Sequence, residues 1–485
     1  MSRKQQKQLI RSLLYLILTI AVFVLFSFNF LADKGYLDFL PSDQLQAIGT
    51  ISHVSVSLWW LWIFLILFFV GRNIWLTWRY LVYKKSIPWD LLEIRIPREV
   101  RRPPRAMEQV FMAIYSLMNS AGDFKEKWWD GEVTLWFCAE IVSFGGDTRF
   151  YMRVPRPRRN VVEAALYAQY QDIEIVDAED YINRIPATIP GVKKMGYSFF
   201  GTELRLAKGD EYPIRTYLDF EANVEEKELD PMSSLLEIMA KLDPRETVWV
   251  QILMRPVDDT WKKKGDKTIK DLQEKAGRQQ AKTEAGTFVW TMPTPGEIEM
   301  LKAIDRNISK PGFQTLIRFI YFAPNEIYTD TFPRRGIIGA FNQYASESMN
   351  KFVHNFKAWT RADVWHWPRI YPSKRLKARR ERMLANYRQR RILNDSKMET
   401  LLNIKFWDWG FKAQKLGKMI LNVEELATIF HLPTFVIMTS HLLKRIESRK
   451  VGPPIGLPMF GGEDDELPGI KINKDKGKKS ESLYD

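Results

Sequence analysis

Cysteine and histidine are scarce in this sequence of 485 residues. The single cysteine, Cys138, excludes an internal disulfide bond and a zinc site built from cysteines. The five histidines never stand four residues apart, so the H-E-x-x-H pattern of zinc-dependent hydrolases is missing. A chain without disulfides fits a reducing compartment. These scarcities also predict that the chain holds no metal.

Glycine-rich phosphate-binding loops are missing as well. The sequence contains no G-x-x-x-x-G-K-[ST] loop, whose backbone N–H groups cradle nucleotide phosphates. It has no glycine triplet of the dinucleotide-binding type after a predicted strand, and no G-x-S-x-G turn that would expose a nucleophilic serine. We therefore expect no catalytic residues, no cofactor and no enzymatic activity.

The composition is that of a folded and basic protein. Hydrophobic residues make up 46% and charged residues 27% of the chain, so most of it should fold rather than stay disordered. Its length suits two or three domains. The formal charge of +14 favours an anionic partner, either nucleic acid or the acidic inner surface of a membrane, and charge alone does not distinguish the two.

Two long apolar runs stand near the N-terminus. Residues 12–30 carry no charge, and this length suffices to cross a hydrocarbon core of about 30 Å. Residues 54–70 are also uncharged, and the run reaches Trp75 if Arg72 extends to the headgroups. A cleaved signal peptide is the alternative for the first run, but no small-residue cleavage site follows it. The sequence therefore predicts a transmembrane helical hairpin within residues 1–82, with spans at about 12–30 and 54–75.

The distribution of charge predicts the orientation of this hairpin. Basic residues flank it at both ends: Arg3, Lys4, Lys7 and Arg11 before the first run, and Arg72, Arg79, Lys84 and Lys85 at the end of the second. The connection, residues 33–52, has three aspartates and one lysine. The positive-inside rule then places both termini in the cytoplasm and the protein in the inner (cytoplasmic) membrane.

An α+β domain follows over residues 88–180. Alternating or continuous apolar runs predict strands near residues 91–96, 133–143, 148–154 and 173–176. Helical spacing of apolar residues predicts one helix between the first two strands and another between the last two. The resulting β-α-β-β-α-β order is the split βαβ arrangement of ferredoxin-like domains.

A second α+β domain is predicted over residues 195–450, because strands and helices alternate again along this stretch. The sequence leaves its topology open. A basic helical insertion is predicted at about residues 373–394. Residues 451–485 are polar and mixed in charge, and they are predicted to form a disordered tail.

The basic insertion is the first candidate functional element. Its basic side chains follow several tryptophans and are candidate contacts for nucleic acid or for anionic lipid: Arg375, Lys377, Arg379, Arg380, Arg382, Arg390 and Arg391. A basic amphipathic helix beside aromatic residues can neutralise phosphates and stack on bases, or lie on an anionic membrane. The alternative is a solvated helix that docks one side on the body of the protein.

A short helix near residues 422–431 is the second candidate. Asn422 and Glu425 have the spacing of a capping box, and His431 stands at the end of the helix, where a positive charge complements the helix dipole. A docking role for the helix that carries Asn422, Glu425 and His431 is implied only by the family resemblance given next. Their local pattern favours capping over catalysis or metal binding.

Several segments together resemble a known family. Residues 140–142 (E-I-V), 150–151 (F-Y), 248–256 (V-W-V-Q-I-L-M-R-P) and 421–433 are similar to the region that precedes the motor in bacterial coupling ATPases of conjugation and type IV secretion. Gln171 stands where that family often has proline. In those ATPases a phosphate-binding loop follows the segment that resembles residues 421–433. In this sequence no such loop follows.

The resemblance implies a function without catalysis. The expected protein is a membrane-anchored subunit of a DNA or protein transfer complex that docks a separate hexameric ATPase at the cytoplasmic face. The alternative is a membrane-tethered nucleic-acid-binding protein that acts without a motor. Besides the membrane and the ATPase, DNA and further copies of the chain are the expected partners.

Overall fold

The structure, a computed structural model, describes residues 57, 59–97, 102–221, 230–278, 294–356, 358–361, 371–390, 392 and 418–433. The chain divides into two compact units, residues 1–446 and 447–485, and all described residues belong to the first. The tail predicted for residues 451–485 lies outside the described residues.

Helices and strands alternate along the described chain. The helices are α1 (Trp59–Ser86), α2 (Pro104–Ser116), α3 (Arg159–Gln169), α4 (Ile189–Lys194), α5 (Tyr217–Glu221), α6 (Ser233–Ala240), α7 (Lys262–Arg278), α8 (Pro295–Ser309), α9 (Ile338–Phe341), α10 (Pro372–Gln389) and α11 (Val423–Ile429). The strands are β1 (Trp89–Arg95), β2 (Phe137–Phe144), β3 (Asp147–Pro155), β4 (Glu174–Asp177), β5 (Tyr197–Leu206), β6 (Thr247–Pro256), β7 (Gly312–Pro324), β8 (Phe352–His354) and β9 (Met419–Asn422). The predicted α+β class is confirmed.

One sheet of nine strands organises these elements. Its strand order is β4-β1-β3-β2-β6-β7-β5-β8, and β9 pairs with β7 beside this path. Neighbouring strands run antiparallel throughout these pairings. The first four strands, with α2 after β1 and α3 after β3, follow the β-α-β-β-α-β order that the sequence predicted over residues 88–180. Their spatial order, β4-β1-β3-β2, places β2 beside the rest of the sheet.

The second half of the sheet repeats the arrangement of the first. Read outwards from the centre of the sheet, the first half has the order β2-β3-β1-β4 and the second half has the order β6-β7-β5-β8. In each half the second strand along the chain is therefore innermost, followed by the third, the first and the fourth. Helix α6 lies between β5 and β6 in sequence, and α9 lies between β7 and β8. The halves join through β2 and β6, so the sheet passes without interruption from one predicted domain into the other.

Alternating side chains of the strands build a core on each face of this sheet. On one face Ile141 and Val250 belong to the main core, together with side chains from α2, α3, α6, α9 and α11. On the other face Val142 and Trp249 pack with Leu384 of α10. Strands covered on both faces read as nearly continuous apolar runs, and this is the pattern of residues 248–254.

The transmembrane hairpin is the part of the predicted fold that the structure contradicts. Residues 12–30 and the beginning of the second predicted span lie outside the described residues. The remainder of that span belongs to α1, which also carries Arg72, Asn73 and Arg79, and charged side chains are costly in hydrocarbon. Within the described ranges, no helix combines the length and the apolar character needed to cross a membrane. Two spans, an inner-membrane location and cytoplasmic termini are therefore not supported.

The turn between β2 and β3 provides a test of how tightly the two halves are packed. Gly145 has φ +54°, and a Cβ atom there would lie 2.5 Å from Cα of Pro244, just before β6. We expect Gly145→Ala to lower the free energy of unfolding by about 1–3 kcal/mol, because it combines backbone strain with a steric clash.

Chemical denaturation in urea measures this effect. Gly296→Ala in the first turn of α8 is the matched control, since no atom lies within 4 Å of the added methyl group and the change should be neutral or slightly stabilising. Equal stability of the two variants would contradict the proposed packing.

Candidate functional site

A buried carboxylate, Glu140, lies at the centre of the sheet. It is fully buried on β2, on the face that α10 covers. Its Oε1 accepts hydrogen bonds from Nε of Arg390 (2.7 Å) and from Nε2 of Gln251 (2.8 Å). Its Oε2 accepts from Nη2 of Arg390 (3.0 Å) and from the hydroxyl of Tyr181 (2.9 Å). Both carboxylate oxygens therefore accept hydrogen bonds, from the C-terminal end of α10, from β6 and from the segment that contains Tyr181.

Arg390 connects the end of α10 to this centre. Its guanidinium also donates to Asp180, with Nη1–Oδ2 at 2.6 Å and Nη2–Oδ1 at 2.9 Å, and its carbonyl accepts from Nε1 of Trp136 at 2.7 Å. The hydroxyls of Tyr181 and Tyr387 lie 2.9 Å apart. The Glu140 network is hereafter the set Glu140, Asp180, Tyr181, Gln251, Tyr387 and Arg390.

The electrostatics of the Glu140 network keep Arg390 charged and the neighbouring hydroxyl and thiol groups neutral. Burial alone would lower the pKa of Arg390, but the carboxylates of Glu140 and Asp180 outweigh it and raise that pKa well above its ordinary value. Burial, followed by the Glu140 charge, raises the pKa of both Tyr181 and Tyr387. The same two causes raise the pKa of the Cys138 thiol, so this cysteine stays protonated and is not an activated nucleophile.

The polar side chains continue as a row across both halves of the sheet. Strand register places Tyr151 opposite Glu140, Glu140 opposite Gln251, Gln251 opposite Arg318, and Arg318 opposite Glu203. Arg318 is fully buried, and its Nη1 donates to the carbonyl of Asn386 in α10 at 2.6 Å. Its Nη2 lies 3.6 Å from Oε1 of Glu203. The row therefore contacts the C-terminal part of α10 from two strands, through Glu140 of β2 and Arg318 of β7.

A comparison with known protein families identifies this region. Residues 83–444 match the model of a domain of unknown function, DUF8128. This match covers more than half of the chain. The protein belongs to the DUF8128 family. No curated protein matches the chain.

The DUF8128 domain directs much of the predicted basic element inwards. Arg375, Arg379 and Arg390 are buried, and Arg380 and Arg382 are partly buried. Burial, followed by repulsion from Arg375 and Arg382, lowers the pKa of Arg379 to about 10. Lys377 is exposed, and Arg391 lies outside the described residues. This placement corresponds to the alternative in which α10 docks one side on the body.

The predicted docking helix of the DUF8128 domain lies inside the core. The capping box is confirmed: the Asn422 side chain accepts from the backbone N–H of Glu425, and the Glu425 side chain accepts from that of Asn422. Glu425 also accepts from the backbone N–H of Ile214 at 2.9 Å, and Nε2 of His431 lies 2.9 Å from Oδ1 of Asp230. Asn422, Glu425 and His431 are at most 2% exposed, so a partner cannot reach them in this fold. Their observed role is to hold the C-terminal segment in the core.

Potential metal ligands do not converge in the described part of the chain. No group of three or more His, Cys, Asp or Glu side chains there has an arrangement that could hold a metal ion. The acidic residues near α11 contact basic ones instead: Nζ of Lys310 lies 2.6 Å from Glu108 and 2.7 Å from Glu424.

An exposed aromatic segment, residues 124–130, is a feature that the sequence did not predict, and it lies against the helix that carries the end of the second predicted span. Phe124 and Trp129 are 79% and 65% exposed, and Trp129 lies against Trp75 of α1 with ring centroids 5.9 Å apart. The exposed apolar residues of α1 are Trp60, Leu61, Ile63, Phe64, Leu67, Phe68, Val70, Ile74, Trp75, Trp78 and Val82. These residues of α1 and residues 124–130 together form the aromatic surface. The sequence signal for residues 124–130 was the F-x-x-x-W-W pattern of residues 124–129.

The Glu140 network generates a prediction about stability. Arg390→Gln should lower the free energy of unfolding by about 3–5 kcal/mol, because it leaves the buried Glu140 carboxylate without its cation. Lys377→Gln on the exposed side of the same helix is the control and should change it by less than about 0.5 kcal/mol. Urea denaturation followed by tryptophan fluorescence measures both. A loss below about 1 kcal/mol for Arg390→Gln would contradict the assignment of Glu140 and Arg390 as a buried ion pair.

The buried capping box generates a prediction about pH. Burial raises the pKa of Glu425 from 4.5 to about 8, so between these values the folded chain keeps a proton that the unfolded chain has released. The free energy of unfolding should therefore fall as pH rises from about 5 to 8, by up to about 1.4 kcal/mol per pH unit from this group.

Urea denaturation of the wild type and of Glu425→Gln at several pH values in this window tests the effect. The variant should show a shallower pH dependence. Glu297→Gln, at the solvent-facing capping box of α8, is the matched control and should leave the dependence unchanged. Identical slopes for the wild type and Glu425→Gln would show that Glu425 does not hold the proton.

Proposed function

We propose that the DUF8128 domain is a non-catalytic scaffold that receives a separate ATPase in a complex of the conjugation or type IV secretion kind. The resemblance of residues 140–142, 248–256 and 421–433 to coupling ATPases supports the choice of complex. The aromatic surface is the observation that carries the proposal, because large exposed apolar surfaces mark interaction sites.

The composition of the aromatic surface suits a protein partner. Tryptophan, phenylalanine and arginine are enriched at the energetic centres of protein interfaces. Beside its exposed rings, the surface includes Arg72, whose guanidinium lies 5.6 Å from the ring centroid of Trp128 and 5.2 Å from that of Phe69. Such groups offer the partner both apolar area and a few directed polar contacts.

The aromatic surface is also held in place before a partner arrives. Nε1 of Trp75 donates to the carbonyl of Trp128 at 3.0 Å. Gly131 has φ +70°, and a Cβ atom there would lie 2.6 Å from the backbone of Arg79, so the two segments are in close backbone contact. A surface that needs little ordering loses less entropy on binding.

The alternative function, nucleic-acid binding through the basic helix, receives less support. Arg375, Arg379 and Arg390 are buried, and phosphate neutralisation requires exposed cations. Arg379 and Arg390 instead donate to groups of the protein itself, the carbonyl of Arg361 and the carboxylate of Glu140.

Co-purification and affinity measurement test the proposed scaffold. The partner to test is a Walker-type ATPase encoded beside this protein. We expect Phe124→Ser with Trp129→Ser to weaken its binding at least about 30-fold, because truncation of aromatic interface residues commonly costs 2 kcal/mol or more. Met195→Ser is the control, since Met195 is an exposed apolar residue outside the aromatic surface.

The outcomes separate two failures. If the wild type does not bind the ATPase, the proposed partner is wrong. If the ATPase binds the wild type and the double variant equally, the partner stands and the aromatic surface is not its binding site.

A further inference from the structure

Helix α10 begins and ends at strained residues. Tyr371, at its N-terminal boundary, has φ 45°, and Arg390, at its C-terminal boundary, has φ 44°. Among the described residues, these two are the only ones other than glycine with positive φ. Such a conformation is unfavourable for residues with a Cβ atom and persists only where surrounding contacts hold it. Detachment of α10 would release this strain at both of its ends.

Directed polar contacts provide much of the attachment of α10 to the sheet. Arg390 provides one of them through the Glu140 network. Arg388 provides another, because its Nη1 donates to the carbonyls of Ile182 (2.7 Å) and Ile185 (3.0 Å). The apolar contribution to the core on this face comes from three residues of the helix: Met383, Leu384 and Tyr387. Polar contacts of this kind can be exchanged for equivalent contacts from another chain at little net cost.

The sheet face beneath α10 has the chemistry of a receptor for a cationic helix. Glu140 and Asp180 present carboxylate oxygens to Arg390, and Glu203 lies further along the same row. The row is also incompletely satisfied: Nε and Nη2 of the buried Arg318 and Oε1 of Gln251 have no hydrogen-bond partner within the described structure. Unsatisfied buried groups favour any occupant that can reach them.

We propose that α10 is a displaceable occupant of this face, and that the face is a binding site for a basic amphipathic helix of a partner protein. The partner would place an arginine that directly follows its helix between Glu140 and Asp180, and a short apolar stripe of that helix over Trp249, as Arg390 and α10 do. This site is separate from the aromatic surface and from the proposed ATPase, so the experiments below test it independently of the proposed function.

Hydrogen exchange of the full chain tests the displacement. In the wild type, we expect the amides of α10 to exchange through local opening, faster than those of β6 and β7. Leu384→Ala should accelerate exchange in α10 at least about 30-fold, while the amides of β6 and β7 stay more protected than those of α10. Ala385→Ser on the exposed side of the helix is the matched control. If α10 exchanges only with global unfolding in both the wild type and Leu384→Ala, the displacement is refuted.

Binding of a labelled peptide with the sequence of residues 371–390 tests the site itself. Fluorescence anisotropy should show at least about tenfold tighter binding to Leu384→Ala than to the wild type, because the resident helix competes less. A peptide with Arg390→Gln should bind the same variant about tenfold more weakly than the unchanged peptide, since it lacks the arginine that pairs with Glu140 and Asp180 while the resident helix is unaltered. No binding to a folded Leu384→Ala chain, or equal binding of the unchanged and the Arg390→Gln peptides, would overturn the proposal.

Discussion

The antiparallel pairing of β2 with β6 is the interaction on which the remainder of the structure depends. It joins two halves with the same strand order into one sheet, and it places Glu140 opposite Gln251 at the seam. The main core then extends under both halves, from α2 and α3 to α6, α9 and α11. On the opposite face, α10 crosses the seam through the Glu140 network. Without this pairing, neither the core nor the polar row would be continuous.

The buried ion pair at the seam contributes specificity as well as stability. A buried carboxylate and guanidinium lose their hydration, and their mutual attraction offsets this loss only when the remaining hydrogen-bonding groups are also satisfied. Both oxygens of Glu140 are satisfied, because Gln251 and Tyr181 complete the shell that Arg390 begins. Another register of α10 would remove Arg390 from its two carboxylates. The network therefore selects one position of the helix on the sheet.

The net charge of the chain does not by itself identify a partner. The most basic helix directs several of its arginines into the protein, where they contact backbone carbonyls and the buried carboxylate of Glu140. The more conspicuous surface is aromatic and is formed by α1 with residues 124–130. Because such surfaces bind through apolar area, the proposed scaffold uses the aromatic surface for its partner, while the basic helix makes contacts within the protein.

Local patterns in the sequence determined the order of elements over residues 88–180 and the capping box at Asn422 and Glu425. Both depend on periodicity and hydrogen bonds between residues close in sequence. Which elements meet was decided only by tertiary structure: the pairing of β2 with β6, the burial of His431, the inward direction of Arg390 and the closeness of Trp129 to Trp75. Each joins residues that are distant in sequence, and long-range packing sets their environment. For the same reason, hydropathy alone led to the incorrect transmembrane hairpin, whereas the resemblance to coupling ATPases stays a prediction.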